Sequence, residues 1–223
     1  MSKSADLDAL LYRAVRNNAS WCAAVWTTHG IAVRANDGFL STAGAVPRLY
    51  PDVMTLQPRT DARVIASALA DRPLASVKDS YADVDLAPFG FRVLFDAEWF
   101  TFEPGRGSGR RLDAADATFD ADFRRWVDGW LEVDGAPCPL LPSLVHDART
   151  ALILTSDGEV DAAGGAIGHA EAGVVGVSNA WGRDVTGTFA WGWPGIPLVA
   201  YGATLAPRAI SLGPLRVWVR GTA

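Results

Sequence analysis

Apolar residues follow two different spacings along the chain, and these spacings predict a mixture of helices and strands. Near the start they recur at intervals near three, four and seven, which places them on one face of a helix. This stripe comprises Leu7, Leu11, Ala14, Val15, Cys22 and Val25. Apolar runs bounded by Gly, Pro, Asn or Asp then favour strands over 31–34, 39–41, 53–56, 74–77 and 91–95, and helical spacing returns over 61–71.

The same order of elements begins again after the glycine-rich stretch 104–111. A helix is predicted over 113–132, where the aromatic stripe comprises Phe119, Phe123, Trp126 and Trp130. Like Asp37-Gly38 earlier, Asp157-Gly158 lies between apolar runs and predicts a hairpin. The remaining elements are predicted as strands over 151–155, 174–178, 197–201 and 215–219 and as helices over 184–193 and 205–211.

Two pairs of short motifs recur at one constant offset. Pro73 and Pro197 each open a predicted strand, and they lie 124 residues apart. Arg92 and Arg216, each followed by Val, show the same offset of 124. A constant offset of this kind predicts an internal duplication. We therefore expect two related halves and a linker, namely 1–105, 113–223 and 106–112.

The order of elements in each half resembles the GCN5-related N-acetyltransferase (GNAT) family, and the whole chain is similar to its tandem members. The match is clearest over 113–223, where 174–178 stands as the family's fourth strand and 197–201 as its fifth. The resemblance implies an α+β fold of the acyl-CoA N-acyltransferase type, with mixed β-sheets flanked by helices. It also implies a gap between these two parallel strands that takes the pantetheine arm of acyl-CoA.

Members of that family bind the CoA pyrophosphate with a glycine-containing loop that opens the next helix, because glycine lets the backbone approach the phosphates. The corresponding stretch 58–63 has no glycine, whereas 179–184 has one glycine and one basic residue. The resemblance therefore places acetyl-CoA, or another acyl-CoA, as co-substrate in the second half. A bulge around 176–178 would hold the thioester carbonyl through backbone N–H groups. The implied binding residues are Val177, Ser178, Asn179, Gly182, Arg183 and Asp184.

Three side chains are candidates for proton transfer in the second half. His169 is a candidate general base, because an imidazole accepts a proton near neutral pH. Glu159, on the same predicted hairpin, is an alternative base. Tyr201 ends the predicted fifth strand, and the resemblance implies a tyrosine that protonates the leaving thiolate, although family members usually carry it in the following helix. The structural alternatives are a surface position for His169 and simple packing for Tyr201.

Two further motifs have simpler interpretations. The stretch 106–109 follows an apparent strand and precedes a helix, as a phosphate-binding loop does, but it lies between the repeats and is interpreted as a solvated linker. The stretch 176–180 resembles the nucleophile elbow of serine hydrolases. It lacks the last glycine, and no histidine follows Ser178, whereas that fold places its histidine last. The sequence therefore disfavours a hydrolase.

Composition and charge exclude several classes of function. The chain has 20 basic and 25 acidic residues, for a net charge of −5, and neither half is basic, so we expect no nucleic-acid or membrane partner. Cys22 and Cys138 lie far apart, and the histidines show no ligand spacing, so we expect no disulfide and no metal. No apolar stretch approaches the roughly 18–20 residues of a membrane span. Because the start runs into an amphipathic helix, we read no signal peptide and expect a cytoplasmic protein.

Two hypotheses of function follow. The first is an acyl-CoA-dependent N-acyltransferase that acetylates a small-molecule amine, with the chain acting as a monomer or homodimer. The alternative is a non-catalytic, degenerate GNAT-fold protein that binds a ligand or serves as an interaction module. The order of elements favours the first, and the scarcity of glycine in both predicted pyrophosphate loops favours the second.

Overall fold

A computed structural model of the chain describes residues 3–107, 109–135, 137–155, 163–203 and 208–221. The helices are α1 (Lys3–Thr28), α2 (Ala62–Ala68), α3 (Phe119–Asp134) and α4 (Thr186–Gly192). The strands are β1 (Val33–Asn36), β2 (Phe39–Thr42), β3 (Val53–Thr55), β4 (Ala75–Asp79), β5 (Arg92–Phe102), β6 (Arg110–Arg111), β7 (Thr150–Thr155), β8 (Gly164–Glu171), β9 (Val174–Gly182), β10 (Leu198–Gly202) and β11 (Ile210–Arg220). Short 3₁₀ turns occur at Ala87–Phe89 and Pro142–His146. The α+β class with mixed strand pairing and flanking helices is confirmed.

The chain forms two compact units, one of Met1–Thr101 with Tyr201–Ala223 and one of Phe102–Ala200. These units do not coincide with the predicted halves 1–105 and 113–223. The reason is that β11 forms antiparallel ladders with both β4 and β5. Strand β11 therefore completes the first unit. No local sequence pattern indicates this pairing.

In the first unit the strands lie in the order β1-β2-β3-β4-β11-β5. The predicted hairpin joins β1 to β2, and Gly38 in its turn has a φ of 81°, which favours glycine. Strands β3 and β4, connected through α2, are the parallel pair, with Val53 opposite Val77 and Met54 opposite Lys78. One buried hydrophobic cluster of this unit comprises Phe39, Val53, Ile65, Leu69, Ala75, Val77, Val84, Leu86, Phe91 and Trp218.

In the second unit the strands lie in the order β10-β9-β8-β7-β6. The ladders among β6, β7, β8 and β9 are antiparallel, and β9 runs parallel to β10. Helix α3 packs against β8 and β9. One buried hydrophobic cluster comprises Ala151, Ile153, Ala166, Val175, Val185, Phe189 and Leu198. These residues come from β7, β8, β9, β10 and the segment containing α4.

Several predicted boundaries need correction. Helix α3 begins at Phe119 rather than near 113, because Asp113 accepts a hydrogen bond from the Ala115 N–H and starts a turn. The predicted linker 106–112 contains β6, which pairs with β7. The predicted helix over 205–211 is wrong at its end, since Ile210 begins β11, and 204–207 lie outside the described residues. The turn at 156–158 also lies outside them.

The order β-hairpin, strand, helix, strand occurs twice, in β1 to β4 and in β7 to β10. Helices α2 and α4 begin at Ala62 and Thr186, which is the offset of 124 seen in the sequence. An internal duplication remains a prediction that this order supports. No helix in the described parts of the chain is long and apolar enough to cross a membrane.

Candidate functional site

The parallel strands β9 and β10 pair over a short stretch only. Val175 lies opposite Leu198 and Gly176 opposite Val199, and within the described residues this ladder stops there. Strand β9 nevertheless continues to Gly182, held on its other side by β8. From Val177 onward, the edge of β9 therefore has no ladder partner among residues 198–200 of β10.

A β-bulge lies on this part of β9. Ser178 pairs with Ile167 and Trp181 with Gly165, so Asn179 and Ala180 together lie opposite one residue of β8. The φ of Asn179 is 50°, a left-handed conformation that Asn tolerates better than most residues. The bulge predicted around 176–178 therefore lies one residue further along, at Asn179 and Ala180.

The predicted pyrophosphate loop 179–184 is mostly strand. Gly182 pairs with Gly164 at the end of β9, and the Arg183 N–H donates to the carbonyl of Ala163 at 2.8 Å. The carboxylate of Asp184 accepts hydrogen bonds from the backbone N–H of Thr186 at 2.8 Å and from its hydroxyl at 2.6 Å. These backbone positions are thus held by β8 and by the start of α4.

Gly105, Gly107 and Gly109 pack on the first turn of α4. The Gly187 N–H donates to the carbonyl of Gly107 at 3.0 Å, and the Gly105 N–H donates to the Thr186 hydroxyl at 2.8 Å. A Cβ on Gly107 would lie 1.7 Å from the Asp184 carbonyl oxygen. A side chain at Gly107 would not fit, so this glycine serves packing next to α4 rather than a solvated linker.

His169 lies inside the sheet of the second unit. It is 1% exposed on β8, and its Nδ1 shares a hydrogen bond of 3.0 Å with the Thr150 hydroxyl. Burial, with a smaller contribution from the Arg149 guanidinium, lowers the pKa of His169 to about 4. Arg149 itself pairs with Asp147 and Glu171. His169 is therefore neutral at pH 7 but a weak proton acceptor, and its predicted role as general base gains no support from its surroundings.

The depressed pKa of His169 predicts that acid destabilises the fold. Because the unfolded chain binds a proton near pH 6.5 and the folded chain only near pH 4, stability is full above pH 6.5 and falls as the pH drops from 6.5 to 4. We expect the loss from this group to reach roughly 3 kcal/mol. Urea unfolding of the wild type and of His169→Gln across pH 4–7 measures it. The wild type should lose more free energy of unfolding, and parallel curves would contradict the assignment.

Tyr201 belongs to a buried polar cluster in the first unit. The Lys78 ammonium donates to the Tyr201 hydroxyl oxygen at 2.8 Å and to the Asn18 side-chain oxygen at 3.0 Å. The Cys22 thiol lies 3.9 Å from the same oxygen of Asn18. The ring of Trp99 meets the Tyr201 ring edge to face, with centroids 5.1 Å apart. Helix α1 and strands β4, β5 and β10 therefore each contribute one or two members.

Lys78 is a member of this cluster that the sequence did not predict. Lys78 is only 4% exposed, and within the described residues no carboxylate pairs with it. Burial lowers its pKa, but the Coulombic interactions with Tyr201 and Cys22 and the hydrogen bond to Tyr201 outweigh burial and raise it. Burial raises the pKa of the Cys22 thiol. One signal was available, since Lys3 and Lys78 are the only lysines in a chain with 20 basic residues.

In the first unit the parallel strands β3 and β4 are tied together beyond their ladder. The Ser80 N–H donates to the Thr55 hydroxyl at 2.8 Å, and the Ser80 hydroxyl donates to the Thr55 carbonyl at 2.7 Å. All four of these atoms lie in buried surroundings. The gap between the parallel strands β3 and β4 is therefore closed in the first unit. The edge of β9 in the second unit is the better candidate for binding a substrate.

The other predicted site residues lie on β9 or outside the described residues. Glu159 lies outside the described residues, so its role as a base stays a prediction. Val177 and Ser178 lie on β9 beyond the last pair with β10. Within the parts of the chain that the structure describes, no group of three or more His, Cys, Asp or Glu side chains could hold a metal ion.

Comparison with solved structures gives the fold. A GCN5-related N-acetyltransferase from Kribbella flavida superposes with a TM-score of 0.55 over 92% of this chain and 96% of its own, at 14% identity. A functionally unknown conserved protein from Staphylococcus epidermidis ATCC 12228 superposes with a TM-score of 0.51 over 86% of this chain and 95% of its own, at 6% identity. No protein-family model and no curated protein matches the sequence. The chain thus shares its fold with a GNAT structure over nearly its whole length.

Proposed function

We propose that this protein is an acyl-CoA-dependent N-acyltransferase that acylates a small-molecule amine. The observation that carries the proposal is the fold shared with a GNAT structure over 92% of the chain. The short ladder between β9 and β10 supports it, because β9 beyond Gly176 offers backbone groups that β10 residues 198–200 do not use. An extended amide-containing arm such as pantetheine can pair with such an edge.

The proposed reaction is a direct transfer. The neutral amine attacks the thioester carbonyl, the C–N bond forms and the C–S bond breaks. The departing sulfur takes a proton from solvent, and the proton lost by the amine passes to solvent. The role of Tyr201 as proton donor stays a prediction. Backbone N–H groups of the bulged segment around Asn179 are the proposed donors to the developing oxyanion, and most of the acceleration comes from positioning. His169 has no role in this scheme.

The pyrophosphate of CoA fits the structure less well than the pantetheine arm. The Gly187 N–H already donates to the Gly107 carbonyl, and the Asp184 carboxylate lies at the start of α4. Both features disfavour a phosphate at that position. Arg183 is exposed, and it is the cation that we propose for contact with the phosphates.

The poor fit of the pyrophosphate also favours a second function. The start of α4 is covered by Gly107 of its own chain, so the described residues of the second unit leave no open family-type pyrophosphate site there. In the first unit Thr55 and Ser80 tie β3 to β4 across the gap between the parallel strands. The alternative is therefore a non-catalytic GNAT-fold protein that binds another ligand or a partner.

Release of CoA separates the two functions. Acetyl-CoA is incubated with ethanolamine, spermidine or lysine, and free CoA thiol is followed over time. Arg183→Ala should raise the KM for acetyl-CoA about tenfold, the loss expected for one charge-assisted contact to phosphate. Arg63→Ala removes the same charge from an exposed pair with Asp61 and should change nothing. Equal effects of the two substitutions would contradict the proposed phosphate contact.

A further inference from the structure

Three consecutive large apolar residues are exposed at the beginning of β5 in the first unit. Val93, Leu94 and Phe95 are 39%, 49% and 41% exposed. Arg92 and Asp96, which flank them, are exposed as well. Scattered apolar residues are common on protein surfaces, but a run of three is unusual unless another molecule covers it. The segment 92–96 therefore has the character of a contact surface.

The exposed apolar side chains lie on both faces of the strand. Strand β11 lies along one side of this segment, with Val217 opposite Phe95 and Trp218 opposite Val93. Because neighbouring residues of a strand point to opposite faces, Phe95 and Val93 also lie on opposite faces. A partner that packs flat on the sheet would touch only one of them. A partner that approaches from the side away from β11 touches both.

A β-bulge lies in the middle of the segment. The register with β11 shifts between Val217 and Trp218, which leaves Leu94 without a partner in that ladder. A bulge at such a position hinders the regular addition of further strands. The contact is therefore expected to form through side chains rather than through a long continuous ladder.

The order of residues in the segment is complementary to itself. It reads basic, apolar, apolar, apolar, acidic, from Arg92 to Asp96. When two copies lie antiparallel about Leu94, each Arg92 faces Asp96 of the partner subunit. Each Val93 then faces Phe95 of the partner subunit. Opposite charges and pairs of an aromatic with a β-branched residue are favourable at facing positions, whereas a parallel arrangement would bring like charges together.

Both charges of the segment are accessible to a second copy. The Asp96 carboxylate accepts a hydrogen bond of 2.6 Å from Arg216 Nε, but its side chain is 61% exposed. A carboxylate accepts several hydrogen bonds, so Asp96 has room for another guanidinium. Arg92 forms no ion pair with the described residues. Charge complementarity therefore favours a second copy of this chain as the occupant.

We propose that the segment 92–96 of β5 is the contact of a twofold-symmetric homodimer, in which it lies antiparallel to the same segment of a second copy. A twofold contact uses the same surface on both copies and closes on itself, so association stops at two. The contact is small, so the dimer is weak and depends on concentration. It does not depend on acyl transfer, and its failure would leave the proposed function as it stands.

Sedimentation velocity between about 1 and 100 μM, the range in which a small interface dissociates, tests the dimer. The wild type should change from monomer to dimer as its concentration rises. Leu94→Lys brings two like charges together on the twofold axis and should raise the Kd at least about tenfold. Leu131→Lys, at an exposed leucine of α3, is the matched control and should leave the Kd unchanged. Both variants should keep the Tm of the wild type, because both side chains are exposed.

A mixing experiment tests the antiparallel arrangement. Arg92→Glu alone and Asp96→Lys alone each bring like charges together at both ends of the contact and should weaken the dimer several-fold. An equimolar mixture of the two variants restores opposite charges at both ends, so it should dimerise more tightly than either variant by itself. A wild type that stays monomeric throughout overturns the proposal, as does a dimer that Leu94→Lys leaves intact. A mixture no tighter than its components overturns it as well.

Discussion

Replacing Trp126 by alanine should lower the free energy of unfolding by about 4 kcal/mol, the cost of truncating a large buried aromatic. Trp126 is fully buried on α3. Its indole N–H donates to the Ile153 carbonyl at 3.0 Å, and its ring meets that of Trp181 edge to face at 6.2 Å. The substitution removes the packed ring and also leaves a buried carbonyl without its donor, and both effects destabilise the second unit.

Urea unfolding followed by far-UV circular dichroism measures this change, and Trp191→Ala supplies the control. Trp191 is 74% exposed on α4, so its truncation should cost less than about 0.5 kcal/mol. The comparison keeps the chemistry of the substitution constant and changes only burial. Equal losses in the two variants would show that the packing of α3 against the sheet is not as described.

Replacing Arg72 by methionine should lower the free energy of unfolding by about 3–5 kcal/mol, because it leaves a buried carboxylate without its partner. Arg72 Nη1 lies 2.7 Å from Asp52 Oδ1. Asp52 is 6% exposed, and its other oxygen accepts from the Ser76 N–H at 2.8 Å and from the Ser76 hydroxyl at 3.0 Å. Arg72 also donates to the hydroxyl and carbonyl of Thr42. The guanidinium thus joins β2 to Asp52 before β3, and Asp52 in turn is bonded to Ser76 of β4.

Two variants control for the change in charge and shape. Arg63→Met removes a guanidinium that lies 3.7 Å from Asp61 in an exposed pair, and it should cost less than about 0.5 kcal/mol. Adding Asp52→Asn to Arg72→Met should recover part of the loss, because the carboxylate left without its partner is then neutral. A double variant less stable than Arg72→Met would show that the unpaired charge is not the cause.

Local patterns predicted most of the individual elements. The apolar stripe of α1, the Asp37-Gly38 hairpin and the short helices α2 and α4 depend on residues close in sequence, and the structure confirms them. The place of β11 between β4 and β5 depends on contacts between residues more than a hundred positions apart. Periodicity carries no information about such pairing, so the division into units was not predictable.

The candidate site shows the same division between local and distant information. Tyr201 was found by its place at the end of a predicted strand, but its partners Lys78 and Asn18 come from β4 and α1. His169 was read as a surface histidine or a base, and only the pairing of β8 with strands on both sides shows that it is buried. The role of Gly105 and Gly107 is likewise set by their contacts with α4, which a linker-like composition does not reveal.

Thermal unfolding with and without acyl-CoA tests the proposed function most directly, because it detects binding before any amine is known. A ligand that binds only the folded chain at one hundred times its Kd stabilises it by about 2.7 kcal/mol, which raises the Tm of a chain of this size by roughly 5–10 °C. The account predicts such a rise with acetyl-CoA and a smaller one for Arg183→Ala than for Arg63→Ala at the same concentration. No change in Tm with acetyl-CoA, CoA or longer acyl-CoAs at millimolar concentration would contradict it.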